Sequence, residues 1–498
     1  MALIQITDLT FTYPGSFDPV FEHVSFQLDT DWRLGLTGRN GRGKTTLLRL
    51  LQGQYPHQGT ITAPGGFEYF PYPIPDAALT PLELLECSFP DVPQWRLRRE
   101  LAPLFVTDDA LYRPFSTLSG GEQAKILLAL LFAREGRYLL IDEPTNHLDE
   151  TGRALVSRYL AKKSGFLLVS HDRAFLDGCV DHILSINRGG IEVQKGNFSS
   201  WYENRQRQDA FELAQNAQLK KEIGRLKQAA RQSRAWADKV ESTKIGPHSA
   251  KVTGEADAMG GRAYIGEQSR RMQQRRKNLE RRQNAAIEEK SALLKNIEQA
   301  APLKLHQLPY HADRLALLRD VSVCYGGAPV CCGVSFCVEH GDRIALRGAN
   351  GTGKTSLLRL LCGEDVPHTG TVERSSRLRI SYVRQDPSGL RGDLGAYAAR
   401  YGLDESLFKA ILRKLDFARV QFEKDMADFS AGQKKKVLLA RSLCEPSHLL
   451  VWDEPLNYVD VLSRMQIEDL LLEFQPTIVF VEHDRVFCDH VATKAVML

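Results

Sequence analysis

The sequence predicts an α/β protein: two phosphate-loop nucleotide-binding domains in tandem, joined by an antiparallel α-helical coiled-coil hairpin. Three observations lead there. First, one ordered set of motifs occurs twice. Gly38-Arg39-Asn40-Gly41-Arg42-Gly43-Lys44-Thr45 and Gly348-Ala349-Asn350-Gly351-Thr352-Gly353-Lys354-Thr355 both fit G-x-x-x-x-G-K-[ST], with their lysines 310 positions apart. LSGGE at Leu118–Glu122 is answered by FSAGQ at Phe429–Gln433, D-E-P at Asp142 by D-E-P at Asp453, and S-H-D at Ser170 by E-H-D at Glu482, at offsets of 311 to 312. Second, each glycine loop lies between a short apolar strand and an apolar helix. Third, the residues between the two sets are basic, almost free of proline and periodic at helical spacing.

Leu34–Thr37 predicts the strand into the first loop and Thr45–Gln52 the helix after it; Ile344–Arg347 and Thr355–Cys362 repeat the arrangement. Tyr138–Ile141, Phe166–Val169, Leu449–Val451 and Ile478–Val481 are short apolar runs of the kind buried in parallel sheets. The offsets set the domains at 1–190 and 312–498, with a linker at 191–311. Within the linker, Leu219, Ile223, Leu226 and Ala230 predict a first helical arm over about 201–239, and Leu279, Ala286, Ile287, Leu294 and Ile297 a second over about 267–300. Between them, Gly246-Pro247, Gly254, Gly260-Gly261 and Gly266 predict a looped tip over about 240–266. An arm of this length would reach about 58 Å at 1.5 Å per residue and is expected to project as a rod.

At 498 residues the chain has room for two large domains and a connector. Its longest apolar runs, such as Ile126–Ala133, fall far short of the roughly 18 residues that span a bilayer. The first residues lack the basic and apolar regions of a secretory signal, so a cytoplasmic protein is expected. Nine scattered cysteines suggest reduced thiols; Cys324, Cys331, Cys332 and Cys337 lack metal-ligand spacing and read as buried or half-buried strand residues. The net charge is +4, yet residues 199–300 carry 21 Lys+Arg against 13 Asp+Glu. A basic connector between slightly acidic domains points to a polyanionic partner.

The motif chemistry is that of a nucleoside triphosphate. Backbone N–H groups of Gly38, Asn40, Gly41 and Gly43, and of Gly348, Asn350, Gly351 and Gly353, would surround the β-phosphate, where a side chain would block approach. Lys44 and Lys354 bring positive charge to the β- and γ-phosphates. Thr45 and Thr355, followed by Thr46 and Ser356, offer hydroxyls. Asp142 and Asp453, each ending a buried strand, would bind Mg²⁺ together with Thr45 and Thr355. Glu143 and Glu454 would then polarise the attacking water, and His171 and His483 would sense the γ-phosphate.

These motifs resemble the ATP-binding-cassette (ABC) ATPases, over nearly all of both domains. In that family two cassettes sandwich two ATP molecules head to tail. The resemblance implies that Lys44 shares a site with Ser430 and Gly432, and Lys354 one with Ser119, Gly120 and Gly121. It implies adenine-stacking roles for Tyr13 and Tyr325 and D-loop roles for Asp149 and Asp460. The family's glutamine after the next strand is matched by Gln385, a further metal ligand. The first cassette has Tyr72 there, which predicts slower hydrolysis at the Lys44 site; Ala431 in place of a signature glycine is a milder departure.

Two fused cassettes joined by a basic hairpin, with Lys195-Gly196-Asn197-Phe198-Ser199-Ser200-Trp201-Tyr202 at its entry, resemble the ABC-F family. The short spacing from lysine to signature serine, 75 and 76 residues, and the absence of a C-terminal extension resemble the Lsa-type antibiotic-resistance members. The resemblance implies a monomer with an intramolecular cassette dimer. It further implies binding to the bacterial 70S ribosome (23S rRNA) beside P-site tRNA, with no DNA and no membrane partner. ATP hydrolysis would drive release, and the ribosome would be protected from lincosamides, streptogramin A and pleuromutilins. RNA phosphates would meet Lys220, Lys221, Arg225, Lys227, Arg231, Arg234, Lys244, Arg270, Arg271, Arg275 and Arg276. A housekeeping factor that relieves stalled ribosomes and the ATPase subunit of a transporter are the competing expectations.

Overall fold

In a computed structural model, the structure describes residues 2–15, 19–146, 148–187, 190–244, 305, 307–325 and 328–498, besides Gln274 and Arg281. They fall into two compact units, one formed by the chain up to Trp201 and from Ala300 onward, the other by Tyr202–Gln299.

The first unit holds both predicted α/β cores. In the first, strands run in the order Phe67–Phe70, Tyr138–Asp142, Phe166–Val169, Arg33–Thr37, His182–Asn187, Gly190–Lys195, parallel except for the last pair. In the second, Ile380–Val383, Leu449–Asp453, Ile478–Val481, Arg343–Arg347 and Lys494–Met497 are all parallel. Each sheet is flanked by a small antiparallel one: Phe21–Asp29, Leu3–Phe11 and Gln58–Thr62, or Ala328–Glu339, Arg314–Tyr325 and His368–Arg374. The sheet of the first core runs past the boundary placed at 190, because Gly190–Lys195 pairs residue by residue with His182–Asn187. Likewise Leu305 and Gln307, placed in the linker by sequence, join the second core: Gln307 Nε2 donates to the carbonyls of His448 and Thr477.

Strand Leu449–Asp453 shows why the predicted apolar runs were continuous. Its side chains alternate in direction, and both faces are covered. Leu449 and Val451 pack into the cluster under the glycine-loop helix, with Leu357 and Leu361, whereas Leu450 and Trp452 pack into the opposite cluster with Phe408, Val437 and Phe480. The second cluster belongs to the helical part, which carries the signature helix Ala431–Cys444. Both glycine loops emerge at the C-terminal ends of these strands, where open α/β sheets place their ligands.

Phe198–Lys244, which belongs to the other unit from Tyr202 on, is one α-helix of 47 residues, about 70 Å long at 1.5 Å per residue. It exceeds the predicted arm at both ends, and Lys244 belongs to it rather than to a tip. Leu219 and Leu226 are half-buried and Ile223 is buried along one stripe, whereas Lys220, Lys221, Arg225, Lys227 and Arg231 are exposed. The second arm, apart from Gln274 and Arg281, and residues 245–266 of the tip lie outside the described residues, as do Arg270, Arg271, Arg275 and Arg276. All nine cysteines are free; Cys331 is buried and Cys324 and Cys337 half-buried, but Cys332, expected under cover, is exposed.

Leu140 is fully buried in an interior strand of the first sheet. Leu140→Ala should therefore destabilise that cassette by about 2–5 kcal/mol, read as an earlier first transition in urea denaturation followed by far-UV circular dichroism.

Candidate functional site

Both glycine loops close on a helix that starts at the lysine: Lys44–Leu51 and Lys354–Cys362. Gly43 shows why the loop needs glycine. Its φ is 91°, and a Cβ there would lie 2.7 Å from a methyl of Val20 and 2.9 Å from the Phe21 ring. The lysine ammonium folds back over its own loop: Lys44 Nζ donates to Gly38 O (2.7 Å) and Asn40 Oδ1 (3.2 Å), and Lys354 Nζ to Gly348 O (2.8 Å) and Ala349 O (2.7 Å). At the far side of each loop, the Tyr13 hydroxyl lies 2.7 Å from Thr46 Oγ1 and that of Tyr325 3.1 Å from Ser356 Oγ. Both tyrosine rings are more than one-third exposed.

The strand-end acids share a backbone device that the sequence conceals. Glu143 and Glu454 have φ of 51° and 45°, a left-handed conformation that costs a non-glycine residue of order 1–3 kcal/mol. Each amide still bonds the neighbouring strand, to Val169 O (2.9 Å) and Val481 O (3.0 Å). The kink thus turns only the side chain, and it turns it toward histidine. His171 Nε2 lies 3.3 Å from Glu143 Oε1, and His483 Nε2 3.3 Å from Glu454 Oε1.

The glycine loop of one cassette meets the signature helix of the other. A cavity of about 760 Å³ is bordered on one side by Ser119, Gly120, Gly121 and Asp149, and on the other by Asn350, Gly351, Gly353, Lys354, Thr355, Ser356, Gln385, Glu454 and His483. At the second junction, Asn40 Nδ2 donates to Tyr458 O (2.9 Å), and a Cβ on Gly432 would come within 2.5 Å of that oxygen and 3.1 Å of Asn40 Nδ2. Ser119 and Ser430 each cap their helix within a capping box, to Glu122 and Gln433. The helix N-termini, with their positive dipole ends, therefore face the opposite cassette. Asp149 and Asp460 cap the next helices by accepting from Gly152 N (2.8 Å) and Ser463 N (2.9 Å).

The two junctions differ in their electrostatics. At the first, Lys44 and His171 are buried and Glu143 is half-buried. Burial, reinforced by the charge of Asp142, pushes Glu143 up to about 8, and burial together with the Lys44 charge holds His171 well below the ordinary histidine range. Burial lowers Lys44 itself, against the opposing pull of Asp460 and Glu143. In the other cassette burial also opposes ionisation of Glu454. There, however, the hydrogen bond and charge of His483, then Gln385 and Lys435, outweigh it and bring the carboxyl down to about 2. Asp453 is pushed up to about 6 by burial, and neither carboxylate oxygen has a hydrogen-bond partner. Buried, unpartnered carboxylate oxygens beside Thr355 and Gln385 suit a hard divalent cation. Asp142 instead accepts from Thr45 Oγ1 (3.4 Å) and from the Tyr69 hydroxyl (3.0 Å).

Tyr72, at the position equivalent to Gln385, stands against Phe89 in the helical part, ring centroids 5.0 Å apart. Sequence reasoning missed Tyr69 and Asn457, whose Nδ2 donates to Glu454 Oε2 at 2.6 Å. The signal for Asn457 was present, since both D-E-P motifs are followed two residues later by asparagine.

A model of the ABC transporter family matches residues 21–68 and 331–457. The chain is 26% identical to the ribosome protection protein VmlR of Bacillus subtilis, over 99% of this chain and 87% of that protein. It is 29% identical to the ATP-binding protein Uup of Caulobacter vibrioides, over 96% and 75%. Its fold is shared with archaeal ribosome recycling factor aABCE1 in complex with stalk protein aP1 (TM-score 0.62, 18% identity, 98% of this chain and 87% of that one). A model of ribosome-bound archaeal Pelota and ABCE1 is also similar (TM-score 0.57, 17% identity, 94% and 72%).

Gly432→Ala should force Tyr458 and Asn40 apart and lower ATP turnover at the Lys44 site about tenfold or more while the Lys354 site keeps its affinity; titration with a fluorescent ATP analogue and steady-state phosphate release check this. With two loop-to-signature junctions and the strand-end acids and histidines in place, and relatives matched along almost the whole chain, this protein is an ATPase similar to VmlR and Uup.

Proposed function

We propose that the protein is an ATP-gated ribosome-binding factor that protects the peptidyl-transferase centre from lincosamides, streptogramin A and pleuromutilins, as Lsa-type members do. The observation that carries the gating is the pairing of each glycine loop with the opposite signature helix: a nucleotide held there touches both cassettes, so its binding and loss must open or close the junction. Lys44 and Lys354 would neutralise the β- and γ-phosphates, and the signature helix N-termini would face the γ-phosphate from across the junction. Glu454, ionised and held by His483 and Asn457, would orient and polarise the attacking water. Thr355, Asp453 and Gln385, and in the first cassette Thr45 and Asp142, would hold Mg²⁺, which when bound supplies positive charge to the phosphate oxygens. Tyr13 and Tyr325 would stack on adenine.

Charge and kinship support this partner. Lys220, Lys221, Arg225, Lys227 and Arg231 are exposed on a single long helix, as a phosphate-contacting surface requires. A relative along 99% of the chain bears the name of a ribosome protection protein. In this reading Arg234, Lys244, Arg270, Arg271, Arg275 and Arg276 would also meet RNA phosphates, with 23S rRNA and P-site tRNA as the ligands in the bacterial cytoplasm. The domains are two cassettes and a linker carrying the hairpin at about 191–311, and the working form is a monomer whose cassettes pair within one chain. Among the described residues no helix is long and apolar enough to cross a membrane.

The double variant Glu143→Gln, Glu454→Gln should accumulate on 70S ribosomes in ATP, and sedimentation through sucrose at increasing salt should show a steep loss of binding. Failure to co-sediment would contradict the gating. Expression of the unaltered chain should raise minimum inhibitory concentrations of the three drug classes; unchanged sensitivity with retained ribosome binding would replace protection by a housekeeping role.

A further inference from the structure

The second signature motif is followed by three lysines, Lys434-Lys435-Lys436, a run that reads as a solvated face. Two of the three are buried: Lys435 has no exposed surface and Lys436 is 2% exposed. A buried ammonium is costly unless its donors are met. Here Lys435 Nζ donates to Arg384 O (2.9 Å) and Glu454 O (3.0 Å), with Asp453 O at 3.4 Å. Lys436 Nζ donates to Asp460 Oδ2 (2.8 Å) and Leu415 O (2.7 Å).

The carbonyls that hold Lys435 lie in or beside the hydrolytic residues of the second cassette. Arg384 precedes Gln385, and Glu454 is the residue read above as the water-polarising base. The helix that bears Lys435 starts beside the other nucleotide junction, where Gly432 abuts Asn40 and Tyr458 O. One turn of helix therefore separates the Lys44 junction from the backbone that sets Gln385 and Glu454 at the Lys354 junction. The first cassette has no such tie: with Ser119 aligned to Ser430, the position of Lys435 falls on Ala124, and that of Lys436 on Lys125, which borders the cavity instead.

We propose that Lys435 is a positioning residue that couples the two ATP sites in one direction, so that a nucleotide at the Lys44 site sets the geometry of Gln385 and Glu454 and licenses hydrolysis at the Lys354 site. Lys436 supports the tie by fixing the helix to Asp460. The inference rests on the assignment of Glu454 as the base.

The test uses the full chain in two backgrounds: Glu143→Gln, which keeps ATP at the Lys44 site without hydrolysing it, and Lys44→Ala, which empties that site. With Lys435 present, turnover at the Lys354 site should be at least tenfold faster in the first background than in the second. Lys435→Met should reduce that ratio to about one, with KM for ATP changed less than twofold. Lys435→Arg, which keeps donors within reach of the same carbonyls, should recover at least a threefold ratio and covers the case in which the methionine variant fails to fold. A tenfold ratio that persists in Lys435→Met, or a ratio of one in Lys435→Arg with unchanged thermal stability, overturns the coupling. Adding Glu454→Gln to the Glu143→Gln background separates the two layers: continued hydrolysis there would refute the assignment of the base rather than the role of Lys435.

Discussion

The meeting of a glycine loop with the N-terminus of the opposite signature helix is the interaction on which the rest depends. Within one cassette, Lys44 and Lys354 can neutralise phosphate charge only from one side. In the proposed reading the second side would come from Ser430 and Gly432 or from Ser119 and Gly121, on helices whose capping boxes leave the N-terminal dipole facing across the junction. Direct bridges hold the cassettes at these junctions. Asn40 bonds Tyr458 O, Arg173 pairs with Glu468, and Arg485 lies 3.7 Å from Glu150. The exposed pair contributes little by itself; the buried Arg173–Glu468 pair and the close seat of Gly432 are the specific parts.

The duplication has not kept the halves equivalent. Glu143 and Glu454 share the same kink and the same histidine neighbour, yet one carboxyl is pushed up to about 8 and the other down to about 2. Burial together with the charge of Asp142 explains the first. The second has three extra partners, Gln385, Asn457 and Lys435, against a cavity of about 760 Å³. Tyr72 in place of the glutamine fits the same division: its ring leaves the site for Phe89, while Tyr69 takes up the bond to Asp142. In the proposed reading the Lys44 site would hold nucleotide and the Lys354 site would turn it over.

Much of this was legible in the sequence because the repeat supplies its own alignment. The offsets of 310 to 312 pair every loop, acid and histidine, and the short apolar runs beside them are of the buried parallel-strand type. The failures have physical causes. Residues 191–195 fell to the linker because the offsets were carried over from the second cassette, in which the described strands include none that answers Gly190–Lys195. The helix was stopped at 239 although no glycine or proline intervenes before Gly246, so the chain continues helical to Lys244. Lys435 could not be recognised, since burial of a lysine depends on backbone carbonyls from three distant residues. The φ of the two glutamates is likewise set by the strand ends they follow, not by their own preference.

The most direct test is a structure of the Glu143→Gln, Glu454→Gln protein with ATP and Mg²⁺. It should hold two nucleotides: one between Lys44 and Ser430 with Gly432, the other between Lys354 and Ser119 with Gly121. Nucleotides whose phosphates are contacted by residues of a single cassette, with the signature helices turned away, would contradict it.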